Sequence, residues 1–161
     1  MAEVLVYIGL GSNLAEPLLQ LQRALTALAE LPQTSLLASS SFYRSAPMGP
    51  QDQPDFVNAV AALATMLSAE DLLDRLQAIE TAQGRVRSRH WGPRTLDLDL
   101  LLYGDTCLQG PRLTLPHARL AERNFVLYPL AELAPDLILP DGRALSSLLA
   151  QCSRAGLERL D

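Results

Sequence analysis

Thr95-Leu96-Asp97-Leu98-Asp99-Leu100-Leu101-Leu102-Tyr103 is the stretch that decides how this chain is built. Successive side chains of a strand project to opposite faces, so an extended segment here lines one face with Leu96, Leu98, Leu100 and Leu102 and the other with Thr95, Asp97 and Asp99. So regular an apolar row predicts a strand half-buried against a core, and it sets two carboxylates side by side on the surface the core leaves alone. Just upstream, Arg85-Val-Arg-Ser-Arg-His-Trp-Gly-Pro-Arg94 supplies four arginines and a tryptophan. Paired hard oxygen donors suit Mg²⁺, which takes one or two protein carboxylates and keeps its other sites for water and substrate phosphates. An isolated Asp-x-Asp is more often a plain solvated strand face. The adjoining arginines, and the cost of setting two like charges on one strand face, argue for a cation between them.

Composition narrows the options. The chain has 161 residues, 48% hydrophobic and 19% charged, with a formal net charge of -5, which fits one folded domain, residues 1–161, with a sizeable core. No apolar run approaches the roughly 18 residues of a membrane span. The start, Met1-Ala-Glu-Val-Leu-Val6, lacks the basic segment and apolar core of a secretory leader, so a cytoplasmic location is expected. The acidic balance argues against a general nucleic-acid binder, though it is compatible with one local basic cleft. Cys107 and Cys152 form no Cys-x-x-Cys pairing and read as free thiols. All 13 basic residues are arginine. Without lysine there is no Walker-A loop, no protein-kinase strand lysine and no Schiff-base lysine, so phosphate has to be met by the planar guanidinium fork.

Along the chain, Val4 to Ile8 reads as a first strand, closed by a tight turn at Gly9-Leu10-Gly11-Ser12-Asn13. Gly9 and Gly11 imitate the start of a dinucleotide fingerprint, but Leu14 stands where its third glycine belongs. From Pro17 the spacing Leu18, Leu21, Leu25, Leu28 predicts an amphipathic helix that Pro32 ends. Leu36 to Arg44 and Phe56 to Thr65 read as strands, the second mostly buried. The proline-rich stretch Ser45 to Pro54 between them is a loop, either functional or a spacer. Ser68-Ala-Glu-Asp71 fits a helix N-terminus, Leu72, Leu76 and Ile79 continue at helical spacing, and Gly84 ends the helix. Gln77 and Glu80 share one face of it, as a solvated edge or as an approach to the arginine loop.

Strand, helix, strand, strand, helix, strand is the order of a ferredoxin-like βαββαβ sandwich, an α+β fold with helices packed on one face of an antiparallel sheet. The last third reads as a C-terminal extension, with short edge strands within Leu108 to Leu115 and helices over Phe125 to Leu133 and Leu145 to Gln151.

Gly92-Pro-Arg-Thr-Leu-Asp-Leu-Asp99 is accompanied, in order along the chain, by Ile8-Gly-Leu-Gly-Ser-Asn-Leu14, Gln53-Pro-Asp-Phe-Val-Asn58, Gln77 to Arg87, Leu115-Pro-His117 and Arg123-Asn-Phe-Val-Leu127. In these motifs the chain resembles, almost end to end, the 6-hydroxymethyl-7,8-dihydropterin pyrophosphokinase family (HPPK). The resemblance implies a ferredoxin-like fold and a folate-pathway reaction in which the terminal diphosphate of ATP passes to the hydroxymethyl group of the reduced pterin, releasing AMP. It implies two Mg²⁺ ions held by Asp97 and Asp99, with Arg85 and Arg94 completing the catalytic set. Around the nucleotide it sets Gln77, Glu80, Arg87, Arg94, Leu100, Arg112, Thr114, His117 and Arg123. Around the pterin it sets Ser45, Pro47, Phe56, Asn58, Trp91 and Phe125. Phe56 and Phe125 would sandwich the flat ring while Asn58 binds its edge, which suits a planar heteroaromatic; core packing is the lesser alternative for each aromatic taken singly. The implied partners are ATP and the pterin alone, with no nucleic acid and no membrane, and the implied state is a monomer. Ser45 stands where the family often has Thr, and Ala46 where a proline can occur. The segment from Arg87 to Trp91 is short, which leaves open whether Arg89 or His90 serves as a mobile loop cation.

That chemistry asks the protein for in-line positioning and for neutralisation of developing charge. No His or Cys near the carboxylates presents itself as a general base, so metal coordination would acidify the hydroxyl while Asp97 orients it. The loops 45–54 and 85–91 are expected to close over bound nucleotide. A non-catalytic ligand-sensing or interaction module on the same fold is the alternative. An RNA-binding domain is disfavoured by the charge and by the lack of an aromatic RNA-binding strand.

Overall fold

The computed structural model describes residues 3–13, 16–46, 54–83 and 96–160. β1 (Val4–Ser12), α1 (Pro17–Ala29), β2 (Thr34–Ser39), β3 (Phe42–Ser45), β4 (Phe56–Thr65), α2 (Ala69–Ala82) and β5 (Asp97–Tyr103) are followed by β6 (Leu108–Gln109), β7 (Thr114–Leu115), α3 (Asn124–Leu133), α4 (Leu145–Ala150) and β8 (Leu157–Leu160). The main sheet runs β5-β1-β4-β3-β8, with β2 also on β4, and its pairings are antiparallel. The fold is therefore mixed, an antiparallel sheet with helices.

Three strand expectations need correction. β1 does not turn at Gly9; it continues to Ser12 because both neighbours pair with it there, Gly9 facing Val60 and Asp99, and Gly11 facing Asn58 and Asp97. Hydrogen bonding on both edges overrides the weak strand preference of glycine. The strand expected over Leu36 to Arg44 is two strands, because Ser40 leaves the ladder: its N–H donates to Val60 O at 2.8 Å while its Oγ accepts from Val60 N at 2.9 Å. β6 and β7 pair with each other as a separate ribbon and do not extend an edge of the main sheet.

Both faces of the sheet are covered, not one. On the first face Val6, Ile8, Leu10, Ala61, Leu63, Leu98 and Leu100 pack with Leu21 and Leu28 of α1 and Leu72 and Leu76 of α2. Each fully buried leucine contributes roughly 1.5–3 kcal/mol relative to exposure. α2 starts as the sequence predicts, with Ser68 Oγ accepting from Asp71 N at 3.1 Å, whereas Leu18 of α1 stays 43% exposed. On the second face Tyr7, Val60, Ala62, Leu101 and Leu102 pack with Val126, Leu127 and Leu130 of α3 and Leu145 of α4. β4 is apolar on both sides, so its second side needs this cover.

Strict alternation in β5 ends at Leu100. Tyr7 pairs with Leu102 and Ile8 with Leu100, so Leu101 is an extra residue in the strand. Such a bulge re-aims the side chains beyond it, and Leu102 joins Leu101 on the second face while Leu96, Leu98 and Leu100 hold the first. No helix among the described residues is long and apolar enough to cross a membrane.

Candidate active site

Directly opposed residues of an antiparallel sheet project to the same face. Asn58, Gly11 and Asp97 form one such row across β4, β1 and β5, and Val60, Gly9 and Asp99 form the next. Val60 belongs to the second face, so both aspartates and Asn58 lie on the α3 side of the sheet. The glycines keep the space between them open: a Cβ on Gly11 would come within 3.2 Å of Asn58 Oδ1. Asn58 and Ser45 are both buried, and Asn58 Nδ2 donates to Ser45 Oγ at 2.7 Å. Ser45 is in turn opposed to Phe56.

The segment after β5 folds back onto Asp99. His117 N donates to Leu101 O at 2.9 Å, which holds the imidazole with Nε2 3.9 Å from Asp99 Oδ1, while Arg123 Nη1 lies 3.7 Å from Asp99 Oδ2. Burial holds the His117 pKa below its ordinary 6.5; Asp99 pulls it back up, and Arg123 and Arg119 push it further down. The ring is therefore neutral at pH 7, and because Nδ1 accepts from Arg119 N at 3.1 Å, the proton sits on Nε2, facing the carboxylate. His117, set among the nucleotide residues by the resemblance, is distant from Asp99 in sequence and adjacent to it in space. Arg123 also lies over the Phe125 ring, 5.5 Å from its centroid, and its buried Nε has no acceptor among the described residues.

On the far side of β5, Glu80 is 5% exposed and accepts from Leu98 N at 2.8 Å, so it grips the strand between the two aspartates. That bond shows the Leu98 main chain pointing away from β1, and the two-residue period points Leu100 the same way. The Leu100 side chain lies in the first core at 2% exposure, so only its main chain faces outward. Arg112 reaches from the β6–β7 connection to Gln77 Oε1 at 3.1 Å, and it pairs with Glu70 at 3.4 Å and with Asp74. Thr114 is half-buried in β7. A cleft of about 320 Å³ opens beside Ser45, Arg123 and Phe125. Of the residues singled out in the sequence, Pro47, Arg85, Arg87, Arg89, His90, Trp91 and Arg94 lie outside the described residues.

A family model described as 7,8-dihydro-6-hydroxymethylpterin-pyrophosphokinase (HPPK) matches residues 7–135. The chain belongs to the HPPK family. A relative in Pseudomonas aeruginosa, 2-amino-4-hydroxy-6-hydroxymethyldihydropteridine pyrophosphokinase, is 63% identical over 155 residues, covering 96% of each chain. Its counterpart in Haemophilus influenzae is 55% identical over 148 residues, covering 92% of each. Among solved structures, an HPPK-DHPS in complex with substrates superposes with a TM-score of 0.77 at 11% identity over 99% of this chain. Plasmodium falciparum wild-type HPPK-DHPS with pteroate gives 0.73, also at 11% identity, over 92% of this chain. At such identity the likeness shows the fold. This HPPK-family chain spans only 47% and 42% of those two DHPS-linked chains.

The sequence reading missed the C-terminal contribution. Asn124, Cys152 and Gly156 line the same cleft as Ser45 and Phe125. The only local signal in the sequence is Asn124 itself, within the Arg123-Asn-Phe motif.

Proposed function

We propose that this chain, a pyrophosphokinase of folate biosynthesis by family, transfers the terminal diphosphate of ATP to the hydroxymethyl oxygen of 6-hydroxymethyl-7,8-dihydropterin and releases AMP. The hydroxyl oxygen attacks the β-phosphorus, the bond from that phosphorus to the α–β bridging oxygen breaks, and the hydroxyl proton is lost. The observation that carries this reading is that one sheet face gathers Asp97, Asp99, Asn58 and Ser45 beside Arg123, His117 and Phe125.

Two carboxylates on one face, with Asp99 39% exposed, are the hard-oxygen donor set that Mg²⁺ prefers, so Asp97 and Asp99 would hold two such ions. Bound there, Mg²⁺ supplies Lewis-acid neutralisation of the triphosphate. Arg123, whose buried Nε lacks an acceptor among the described residues, binds phosphate oxygens together with Arg112, Arg85, Arg87 and Arg94. Neutral His117 donates Nε2–H toward the same region without adding charge. Gln77, Glu80, Thr114 and the Leu100 main chain bound the nucleotide, and Glu80 also fixes the backbone between the aspartates. Asn58, set by Ser45, reads the pterin edge, while Phe56 and Phe125 stack on its faces with Pro47 and Trp91 alongside. Asp97 orients the attacking hydroxyl.

We read the strand order β5-β1-β4-β3, with α1 and α2 on one face, as the ferredoxin-like βαββαβ topology, and the chain beyond β5 as a C-terminal extension covering the other face. The whole is proposed to act as one monomeric domain in the cytoplasm, without nucleic-acid or membrane partners. Incubation with Mg·ATP and the reduced pterin alcohol tests the reading. AMP and pterin diphosphate should form together, and only when the pterin is present. ADP formation, or binding without turnover as a ligand-sensing module would show, contradicts it.

A further inference from the structure

We propose that the C-terminal turn Cys152–Gly156 is a wall of the pterin pocket and that Asn124 is the residue that positions it. The proposal rests on the reading of Ser45 and Phe125 as pterin contacts. Both line the cleft beside Arg123, and Cys152, Ser153, Ala155 and Gly156 line it with them.

The turn is built to stay in place. Asn124 Nδ2 donates to both Ser153 O and Ala155 O, at 3.0 Å each. Tyr128, one helical turn along α3, donates its hydroxyl to Cys152 O at 2.9 Å, and Arg154 lies over the Tyr128 ring at 5.3 Å. Ser153 Oγ accepts from Ala155 N at 3.0 Å. Gly156, at φ +78°, adopts a conformation that side chains disfavour, and its carbonyl accepts from Ala46 N at 3.3 Å, next to Ser45. The wall is thus fastened on one side to the first turn of α3, which carries Phe125, and on the other to the strand that carries Ser45. A side-chain amide that satisfies two main-chain carbonyls at a helix start fixes the distance between the stacking ring and the wall. An aspartate there offers no donor and sets a negative charge against both carbonyls.

Cys152 is a half-buried free thiol in this wall, and Cys107 is an exposed free thiol outside the cleft, so the wild-type protein carries its own reporter and control. Alkylation by iodoacetamide, in which the thiolate displaces iodide, is followed at each cysteine by mass spectrometry with a nonhydrolysable ATP analogue alone, and again with the pterin alcohol added. At about ten times its Kd the pterin should slow Cys152 labelling roughly tenfold, beyond any effect of the analogue, and leave Cys107 unchanged. N124A should raise the pterin KM by roughly three- to tenfold while the ATP KM holds, with at most a modest fall in Tm from the two lost hydrogen bonds, and N124D should raise the pterin KM further than N124A. Equal Cys152 labelling with and without pterin, while F125A still weakens pterin binding, overturns the wall and leaves the pocket reading standing. Pterin binding unchanged in F125A removes the pocket reading, and the wall with it. A lower Tm in N124A with both KM values unchanged reduces Asn124 to a structural residue and overturns its positioning role.

Discussion

His117 Nε2 stands 3.9 Å from Asp99 Oδ1, brought there by the main-chain hydrogen bond from His117 N to Leu101 O. The pair joins the segment after β7 to the strand that bears both carboxylates, and Arg123 completes it from the other oxygen of Asp99. Replacing Arg123 with alanine removes a charged side chain that is only 14% exposed. Its loss should lower kcat/KM by about a hundredfold or more, the scale of one preorganised charge at a reacting phosphoryl group. Lysine should restore little, because it lacks the planar fork. Steady-state kinetics of R123A and R123K check this, and near-native activity in R123K would show that charge alone suffices.

The acid pair should be separable from folding. D97N and D99N keep side-chain volume, so thermal unfolding should stay cooperative, with Tm lower in D99N because Arg123 loses its ion-pair partner, while turnover falls by roughly two orders of magnitude or more in both. Chelation with EDTA should abolish turnover in the wild type, and added Mg²⁺ should restore it. Activity that survives chelation would remove the metal reading.

Gly9 and Gly11 should respond differently to a methyl group. A Cβ on Gly9 would meet Leu101 Cδ2 at 3.4 Å, an ordinary contact, whereas one on Gly11 would meet Asn58 Oδ1 at 3.2 Å and displace the amide that donates to Ser45. G11A is therefore expected to raise the pterin KM several-fold, within the roughly tenfold that one disturbed hydrogen bond allows, and G9A should leave it within about twofold. Paired KM measurements decide, and equal effects would show that Asn58 is not the sensitive group.

Glu132 ties α3 to β3 and to the break before it: its oxygens accept from Ser41 N at 2.9 Å, Ser41 Oγ at 3.1 Å and the Tyr43 hydroxyl at 2.8 Å, with Arg159 at 4.0 Å. Burial pushes the Glu132 carboxyl up, but the hydrogen bonds from Tyr43 and Ser41, and Arg159, outweigh it and hold the pKa below the ordinary 4.5. A depressed carboxyl contributes stability that is present above its unfolded pKa and lost as pH falls through the folded value. Burial, and then the Glu132 hydrogen bond, push the Tyr43 phenol up to about 12 from 10.0. A raised phenol contributes stability that is present below the unfolded value and lost as pH rises through the folded one. E132A should cost about 1–3 kcal/mol at pH 7, and the gap to wild type should narrow both below pH 4.5 and above pH 10. Chemical denaturation across that range checks it; a pH-independent gap would mean that packing, not these bonds, carries the effect.

The succession of strands and helices through β5 was legible because period and capping are local: leucines two apart, leucines three and four apart, and Ser68 before Asp71 report on their own neighbourhoods. So was the shared face of Asp97 and Asp99, since that alternation needs only an extended backbone. Local pattern failed where partners overrode it. Gly9 to Ser12 looked like a turn and became a strand with a neighbour on each edge, and Ser40 left the ladder through a hydroxyl that the sequence does not mark. β8, four residues long and mostly exposed or half-buried, carries too short a pattern to be seen without β3 beside it.

What the sequence by itself determined is the inventory: an arginine-only set of cations, two carboxylates on one strand face, and the motifs that mark the family. Only the tertiary structure decided that Leu101 bulges and sends Leu102 to the other face, that α3 and α4 cover that face, and that His117, Arg123 and the 152–156 turn converge on the groups carried by β3, β4 and β5. The physical reason is range. A periodic pattern is fixed by the few residues on either side, whereas a bulge, a second layer and a meeting of distant segments are fixed by which surfaces remain to be buried once the sheet has formed.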